Sequence, residues 1–234
     1  MKKSLITIFL SLIVLIVGAI HACAQESSDA NQTLTDAHPA QNSSGTDYSL
    51  KKGDVELGVW GGFSPDSTTW IGKTSNRRLA LLAFRAGRVM GSKKNFSFEY
   101  TIDAAYARLV QPSETVVFQG STPNTFIITS SGPDANGFGL SPIGLKFIFR
   151  RHERVKPFVQ TTGGFLIFDR AVPYDAARKF NFTFDVGGGV QIFSKSRHAV
   201  MIGYKFHHFS NGGTRTVNPG VDSHVIYAGF SIFR

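Results

Sequence analysis

Eight segments in which apolar and polar residues alternate run between residues 54 and 233, and they restrict the possible folds more than any other feature. Successive side chains of a β-strand point to opposite faces, so alternation indicates strands with two different surroundings. Several segments exceed the ~5–6 residues usual in soluble sheets and suit the about 9–11 residues of a transmembrane strand. The predicted strands are Asp54–Ser64, Arg78–Met90, Asn95–Val110, Phe138–Arg150, Val155–Phe168, Phe180–Ser194, Arg197–Ser210 and Asp222–Phe233.

The connections between these strands alternate strictly between short and long. Outer-membrane barrels have short periplasmic turns and longer extracellular loops. We therefore predict an all-β fold, an eight-stranded antiparallel transmembrane outer-membrane β-barrel over residues 49–234. A soluble eight-stranded barrel that holds an apolar ligand inside, like a lipocalin, is the alternative. The short links are 91–94, 151–154 and 194–197; the long links are 65–77, 111–137, 169–179 and 211–221.

The two faces of the predicted barrel wall can be followed in the last two strands. In the seventh strand one face is apolar and suits lipid, whereas Lys205 and His207 lie on the opposite, lumenal face. The parities or positions of Asp103, Asp185 and Glu99 predict that they join polar networks of the lumen or lie at the membrane interface. The predicted lipid-facing residues are Val200, Ile202, Tyr204, Phe206, Ile226, Ala228, Phe230 and Ile232.

The N-terminal residues predict export. Residues 1–24 combine two lysines, a long apolar stretch and a small-residue cleavage site, which is typical of a signal peptide, with a membrane-spanning helix as the alternative. Residues 25–48 are almost free of large apolar side chains and are predicted to form a disordered leader. Cys23 is the only cysteine, so the folded body has no disulfide.

The charge of the chain is basic. Its formal net charge of +9 falls to +7 if the signal peptide with its two lysines is removed. A basic excess suits nucleic acid, an acidic partner or an anionic membrane surface. Because the chain is predicted to be exported, nucleic acid is the least suitable of these partners.

Three residues with the chemistry of an ester hydrolase meet at the last predicted hairpin. His208 and Ser210 share the lipid-facing parity of strand seven, and Asp222 shares that of strand eight. Pairing through the 211–221 loop is expected to set Ser210 near Asp222, with His208 diagonal to the acid. A serine hydroxyl needs a nearby base to act as a nucleophile, and a carboxylate can orient that base.

Candidate donors to a developing oxyanion follow the serine directly. The candidate donors are the backbone N–H groups of Asn211, Gly212 or Gly213 and the side chain of Asn218. His224 lies on the outer face and is interpreted as a rim residue outside the triad. The histidines lack the close spacing of a metal site, so neither a metal nor a cofactor is predicted.

The run "HFSNGG" at His208–Gly213, followed by Asn218, Gly220 and Asp222, resembles the PagL-type lipid A deacylases (lipid A 3-O-deacylase, acyloxyacyl hydrolase). The resemblance implies that His208 is the general base, Ser210 the nucleophile and Asp222 the orienting acid. It implies oxyanion roles for Asn218 and for the amides near Asn211 and Gly213. The family acid is usually glutamate, so Asp222 is one methylene shorter than the family pattern.

The resemblance also implies a substrate and a place of action. We expect a serine esterase that removes the ester-linked acyl chain at the 3-position of lipid A, with lipopolysaccharide of the outer leaflet as its partner and no cofactor. One alternative is a non-enzymatic surface barrel that binds external partners through its long loops. Another is a soluble secreted lipid carrier.

Overall fold

The computed structural model describes residues 47–194 and 197–234. The predicted signal peptide and residues 25–46 of the predicted leader lie outside the described residues. In the described part of the chain, no helix is long and apolar enough to cross a membrane. The strands are β1 Val55–Ser64, β2 Ser67–Thr68, β3 Arg78–Lys93, β4 Phe96–Val110, β5 Thr115–Gln119, β6 Phe126–Ser130, β7 Ala135–Phe149, β8 Val155–Val172, β9 Arg178–Phe193, β10 His198–Ser210 and β11 Val221–Phe233.

Eight long antiparallel strands form one closed sheet. Their order is β1-β3-β4-β7-β8-β9-β10-β11, and β11 pairs with β1 to complete the cylinder. Backbone hydrogen bonds between Val55 and Arg234 in both directions extend that seam to the last residue. The eight predicted strands are therefore confirmed, and the fold is an eight-stranded outer-membrane β-barrel.

Two predicted loops contain short strands that the sequence analysis missed. The 65–77 link includes β2, which pairs with the start of β11 through Thr68 opposite Asp222 and Ser67 opposite Ser223. The 111–137 link contains the separate hairpin β5–β6. These strands have two to five residues, so their alternation is too short to be recognised against transmembrane strands of 10 to 18 residues.

Charged side chains fill the lumen and are paired there. Arg85 forms a two-point ion pair with Asp103, at 2.7 and 2.8 Å, and Lys146 bridges Glu56 at 2.9 Å and Glu99 at 3.2 Å. Unpaired charges would be costly to bury, so each ion pair is part of the packing. An eight-stranded barrel is just wide enough for its side chains to fill. The alternative of a soluble barrel with an apolar interior is therefore wrong.

The outer wall is apolar. Val200, Ile202 and Tyr204 are exposed on the predicted lipid-facing side of β10, and Ile226 and Phe230 are exposed on the same side of β11. This pattern is confirmed, with one difference. Phe206 has the lipid-facing parity but is only 6 % exposed, because the indole of Trp70 stacks on it at a centroid distance of 5.5 Å.

A cap of loops closes the end of the barrel that carries the 211–220 loop. Its apolar part, which we call the loop cluster, consists of the buried Tyr174, Ala177 and Val217, with Val116, Phe118, Ile127 and Ala176 packed against it. Its polar part joins three loops: Nη2 of Arg77 lies 2.5 Å from Oε1 of Glu114, and the Tyr174 hydroxyl donates to the same oxygen at 2.8 Å. The missed hairpin β5–β6 thus contributes directly to the cap.

Candidate active site

His208 and Asp222 are direct cross-strand partners. They pair between β10 and β11, and Nδ1 of His208 lies 2.6 Å from Oδ1 of Asp222. The carboxylate is fully buried, whereas the imidazole keeps 16 % of its side-chain surface exposed. A histidine held at Nδ1 by a buried carboxylate has its Nε2 atom available for proton transfer, which is the arrangement of a general base.

Ser210 lies two residues beyond this pair, on the same face of β10. The predicted register placed Ser210 near Asp222 with His208 diagonal to the acid; this was wrong, because His208 itself opposes Asp222 and Ser210 is the last residue of the strand. Within residues 47–194 and 197–234 the Ser210 hydroxyl makes no hydrogen bond. Contacts between nucleophile and base are often long without substrate and shorten when it binds.

The second oxygen of the acid is held by a loop that sequence reasoning did not connect with the site. Oδ2 of Asp222 accepts backbone N–H groups from Ile71 at 2.6 Å and from Gly72 at 2.9 Å. Both residues belong to the link between β2 and β3. The only signal in the sequence is indirect, since a buried aspartate needs donors for both oxygens.

Two glycines let the backbones approach closely around the imidazole. Gly220 has a φ of +65°, and a Cβ atom there would lie 2.9 Å from Cε1 of His208. A Cβ atom on Gly72 would lie 2.9 Å from the carbonyl group of Gly220. Larger residues at either position would displace the backbone beside His208 and Asp222.

The three predicted oxyanion contributors have different surroundings. The backbone N–H of Asn211 donates to Oδ1 of Asn218 at 2.9 Å, and the Asn211 side chain donates to the Val217 carbonyl at 2.9 Å. The expectation that the Asn211 N–H faces an oxyanion is therefore wrong in this structure, because Asn218 occupies it. Gly213 is exposed with a φ of +75°, and its N–H makes no hydrogen bond with another described residue. The Gly213 amide and the side-chain NH₂ of Asn218 remain as candidate donors.

The neighbouring histidines have structural partners. His207 is buried in the lumen and contacts Asp185 through Nδ1, and Asp185 also binds Lys205 at 3.0 Å, as the lumenal prediction required. His224 contacts the Tyr204 hydroxyl with Nδ1 and the Thr68 hydroxyl, at 3.2 Å, with Nε2. Both ring nitrogens of His224 are engaged, so it offers no second base.

An aromatic surface adjoins the His208–Asp222 pair on the outer wall. Trp70 is 72 % exposed, stacks on Phe206 and meets His224 edge-on at a centroid distance of 4.7 Å. Ile71, whose N–H binds Asp222, has an exposed apolar side chain. Apolar and aromatic side chains are thus presented outside the barrel beside the imidazole.

The cap supports the loop that carries the oxyanion candidates. Val217 is buried in the loop cluster, directly before Asn218 in the chain. The Ser121 hydroxyl lies 2.9 Å from that of Thr216, and Arg178 donates to the Thr214 carbonyl at 3.0 Å. The long 111–137 link therefore helps to fix the position of residues 211–220.

Comparison with known proteins gives a family assignment. The family model described as lipid A 3-O-deacylase (PagL) matches residues 82–231, well over half of the chain. No curated protein shows significant sequence similarity to the chain.

Solved structures of outer-membrane barrels are also similar to the chain. The outer membrane enzyme PagL is 16 % identical with a TM-score of 0.47, and the match covers 75 % of this chain and 97 % of PagL. Neisserial surface protein A is 13 % identical with a TM-score of 0.48, covering 77 % and 99 %. Ail, the attachment invasion locus protein of Yersinia pestis, is 14 % identical with a TM-score of 0.38, covering 77 % and 99 %.

Proposed function

Because the chain belongs to the lipid A 3-O-deacylase family, we propose that it hydrolyses the ester that links an acyl chain to the 3-position of lipid A. The observation that carries the proposal is the His208–Asp222 pair, joined at 2.6 Å on the outward-facing side of the barrel wall. Ser210 completes a serine, histidine and acid set on the same face. His208 and Ser210 share the parity of the exposed Val200, Ile202 and Tyr204 of β10, so the proposed reacting groups lie on the lipid-facing side.

The proposed reaction has two halves. In the first, Nε2 of His208 removes the proton of Ser210 as the serine oxygen attacks the ester carbonyl carbon. The carbonyl oxygen becomes an oxyanion, and the Gly213 N–H and the Asn218 NH₂ group donate to it. Collapse of this intermediate breaks the bond to the sugar oxygen, which takes the proton from His208. The product of this half is an acyl ester of Ser210.

The second half reverses the roles with water. His208 takes a proton from water as the hydroxide attacks the acyl ester, and then returns a proton to Ser210 as the fatty acid leaves. Asp222 keeps the Nδ1 proton of His208 in place and stabilises the imidazolium in both halves. No metal or cofactor is required by this sequence of steps.

The substrate is proposed to reach the site sideways from the outer leaflet. Trp70 and Ile71 offer exposed apolar surface next to His208 and Asp222. Tryptophan is favoured where one side of a ring meets lipid and the other meets polar groups. An acyl chain that lies along these side chains would carry its ester to the level of the catalytic pair.

The test is the acyl pattern of lipid A. Cells that produce the protein should contain lipid A lacking one ester-linked acyl chain by mass spectrometry, and Ser210→Ala should restore the full pattern. Ser92→Ala is the matched control, because this serine lies at the opposite end of the barrel and bonds to Leu50 and Ser97. Deacylation by folded Ser210→Ala would refute the mechanism, and an unchanged pattern with the unmodified protein would favour a non-enzymatic surface barrel.

A further inference from the structure

The segment between β2 and β3 reaches across the start of β11 and encloses the carboxylate of Asp222. We propose that residues 70–74, which we call the acid-binding strap, form a positioning element of the active site that holds Asp222 in the orientation that His208 needs. The inference rests on the proposed deacylation and extends it to a part of the chain outside the catalytic hairpin. Trp70–Gly72 supply its contacts to the site, and Lys73 and Thr74 anchor it.

The strap is fixed by backbone contacts at several points. The Lys73 N–H donates to the Pro219 carbonyl at 2.5 Å, and Thr74 forms a parallel bridge with Val221. The Thr74 carbonyl accepts the Ser67 hydroxyl at 2.8 Å, and Ser67 itself pairs with Ser223. The strap therefore follows the residues on both sides of Asp222 and has little freedom to move away from it.

The strap determines which way the carboxylate turns. A carboxylate on a short side chain can rotate about its last bond, and only one orientation of its plane places an oxygen against Nδ1 of His208. The N–H groups of Ile71 and Gly72 bind Oδ2 at 2.6 and 2.9 Å, so the other oxygen must face the imidazole. Hydrogen bonds to a charged acceptor are about twice as strong as neutral ones.

The strap also accounts for the shorter acid. Aspartate lacks one methylene of the glutamate expected from the family pattern, and it is fully buried. Here the β2 pairing and the direct His208–Asp222 register bring the acid, the base and the strap together. Gly72 is required for this fit, because a Cβ atom there would meet the Gly220 backbone at 2.9 Å.

The first experiment removes one N–H group. Ile71→Pro deletes the N–H that lies 2.6 Å from Oδ2, whereas Ile71→Ala shortens the side chain and keeps it. On purified lipid A in detergent micelles, Ile71→Pro should lower kcat about 10–100-fold, the effect of losing a hydrogen bond to a charged group. Ile71→Ala loses the same exposed side chain but keeps the N–H, so the ratio of the two kcat values isolates the hydrogen bond, and kcat of Ile71→Ala should be the higher by that factor. Equal kcat values for the two variants would overturn the proposal.

A double-variant cycle separates positioning from a general folding defect. If the strap acts through the carboxylate, Ile71→Pro should cost nothing further in an Asp222→Ala background. The same fold-loss in both backgrounds would overturn the proposal. Should Ile71→Pro fail to fold, Gly72→Ala replaces it, with Gly61→Ala as control, since a Cβ at Gly61 meets only an ordinary contact of 3.6 Å.

A measurement that does not depend on enzymatic activity tests the acid-binding strap separately from the proposed function. In NMR spectra of the ¹⁵N-labelled barrel, Asp222→Asn should shift the amide protons of Ile71 and Gly72 upfield. Asp66→Asn is the control, because among the described residues the carboxylate of Asp66 accepts a hydrogen bond only from the Ser67 amide, at 2.7 Å. Unchanged Ile71 and Gly72 resonances would overturn the strap. If they shift but the unmodified protein leaves lipid A intact, the proposed function fails and the strap stands as a carboxylate-binding element.

Discussion

Asp222 lies directly opposite His208 across the β10–β11 pair, with 2.6 Å between one carboxylate oxygen and Nδ1. The other oxygen accepts two backbone N–H groups, so the carboxylate is bound on both sides. Backbone N–H groups thus hold the carboxylate in place, and the carboxylate in turn holds the imidazole of His208. Its geometry leads to the first two predictions.

Replacing the charge of Asp222 should disable catalysis while the barrel still folds. In Asp222→Asn the side chain keeps its size but no longer stabilises an imidazolium or fixes the tautomer of His208. We expect kcat on lipid A to fall on the order of 1,000–10,000-fold. Heat-modifiable mobility of the purified barrel on a gel checks folding. Retention of more than a tenth of the activity would remove Asp222 from the triad.

Lengthening the acid should also reduce activity, although glutamate is the residue of the family pattern. Asp222→Glu adds a methylene to a fully buried side chain whose two oxygens already meet His208 and the strap. Overpacking of this kind costs about 1–3 kcal/mol, so kcat should fall roughly 5–150-fold. Steady-state kinetics on lipid A provide the check. A gain of activity would show that the site is built for the longer acid.

Shortening Trp70 should weaken substrate binding more than chemistry. The indole is 72 % exposed and stacks on Phe206 beside the catalytic pair, whereas the strap binds Asp222 through backbone groups that remain in Trp70→Ala. KM for lipid A should rise about 3–10-fold with little change in kcat, as expected when uniform binding is lost. Trp70→Phe keeps an aromatic face and should stay near the unmodified values. A fall in kcat alone would contradict this role.

Weakening the loop cluster should loosen the oxyanion loop from a distance. Val217→Ala removes two buried methyl groups from the contact with Tyr174, at a cost of about 2 kcal/mol. Because Asn218 follows Val217, kcat should fall several-fold and the 211–220 loop should be cleaved faster by protease. Val117→Ala is the control, since this side chain on the hairpin β5–β6 is 60 % exposed. Equal effects of the two changes would show that the loop cluster does not hold the 211–220 loop in place.

Acid should weaken the cap through Glu114. Burial alone would raise the pKa of this carboxyl, but hydrogen bonds from Arg77 and Tyr174 outweigh it and lower the pKa below 4.5. A group with a lowered folded pKa contributes stability above its unfolded value and loses it as the pH falls through the folded value. The midpoint temperature of thermal unfolding of the unmodified protein should therefore decrease as the pH is lowered below about 4.5.

Glu114→Gln isolates this contribution. The variant should have a lower midpoint than the unmodified protein near pH 6, and the difference should shrink as the pH is lowered past 4.5. A constant difference across the acid range would show that Glu114 is not the titrating group.

Alkali should weaken the same contacts through Tyr174. Burial and the hydrogen bond to Glu114 raise the pKa of Tyr174 to about 12. Stability from Tyr174 is therefore present below pH 10 and is lost as the pH rises towards 12.

The sequence predicts the barrel well because alternation is a local signal. Each long strand carries its own pattern of lipid-facing and lumenal residues, as Val200 and Lys205 show in β10. The faces of His208, Ser210 and Asp222 follow from the same parity. The register between two strands cannot be derived from parity, because a shift of two residues leaves every side chain on the same face. The sequence therefore predicts His208 diagonal to Asp222, whereas the structure has the two residues directly opposite each other.

The strap and the cap depend on contacts between distant parts of the chain. Ile71 and Gly72 are about 150 positions away from Asp222, and they bind it with backbone atoms that leave no side-chain pattern. In the sequence, Trp70 and Ile71 are two apolar residues in a polar link, and only the structure shows that Trp70 stacks on Phe206. The loop cluster likewise joins Val116, Tyr174 and Val217 from three separate links.

The ion pairs that crowd the interior of the cylinder have a physiological consequence. Inside the cylinder, acidic partners bind Arg85, Lys146 and Lys205, and eight strands leave a bore that is just wide enough for side chains to fill. We therefore expect a cell to carry many copies of such a protein without making its envelope more permeable to small solutes.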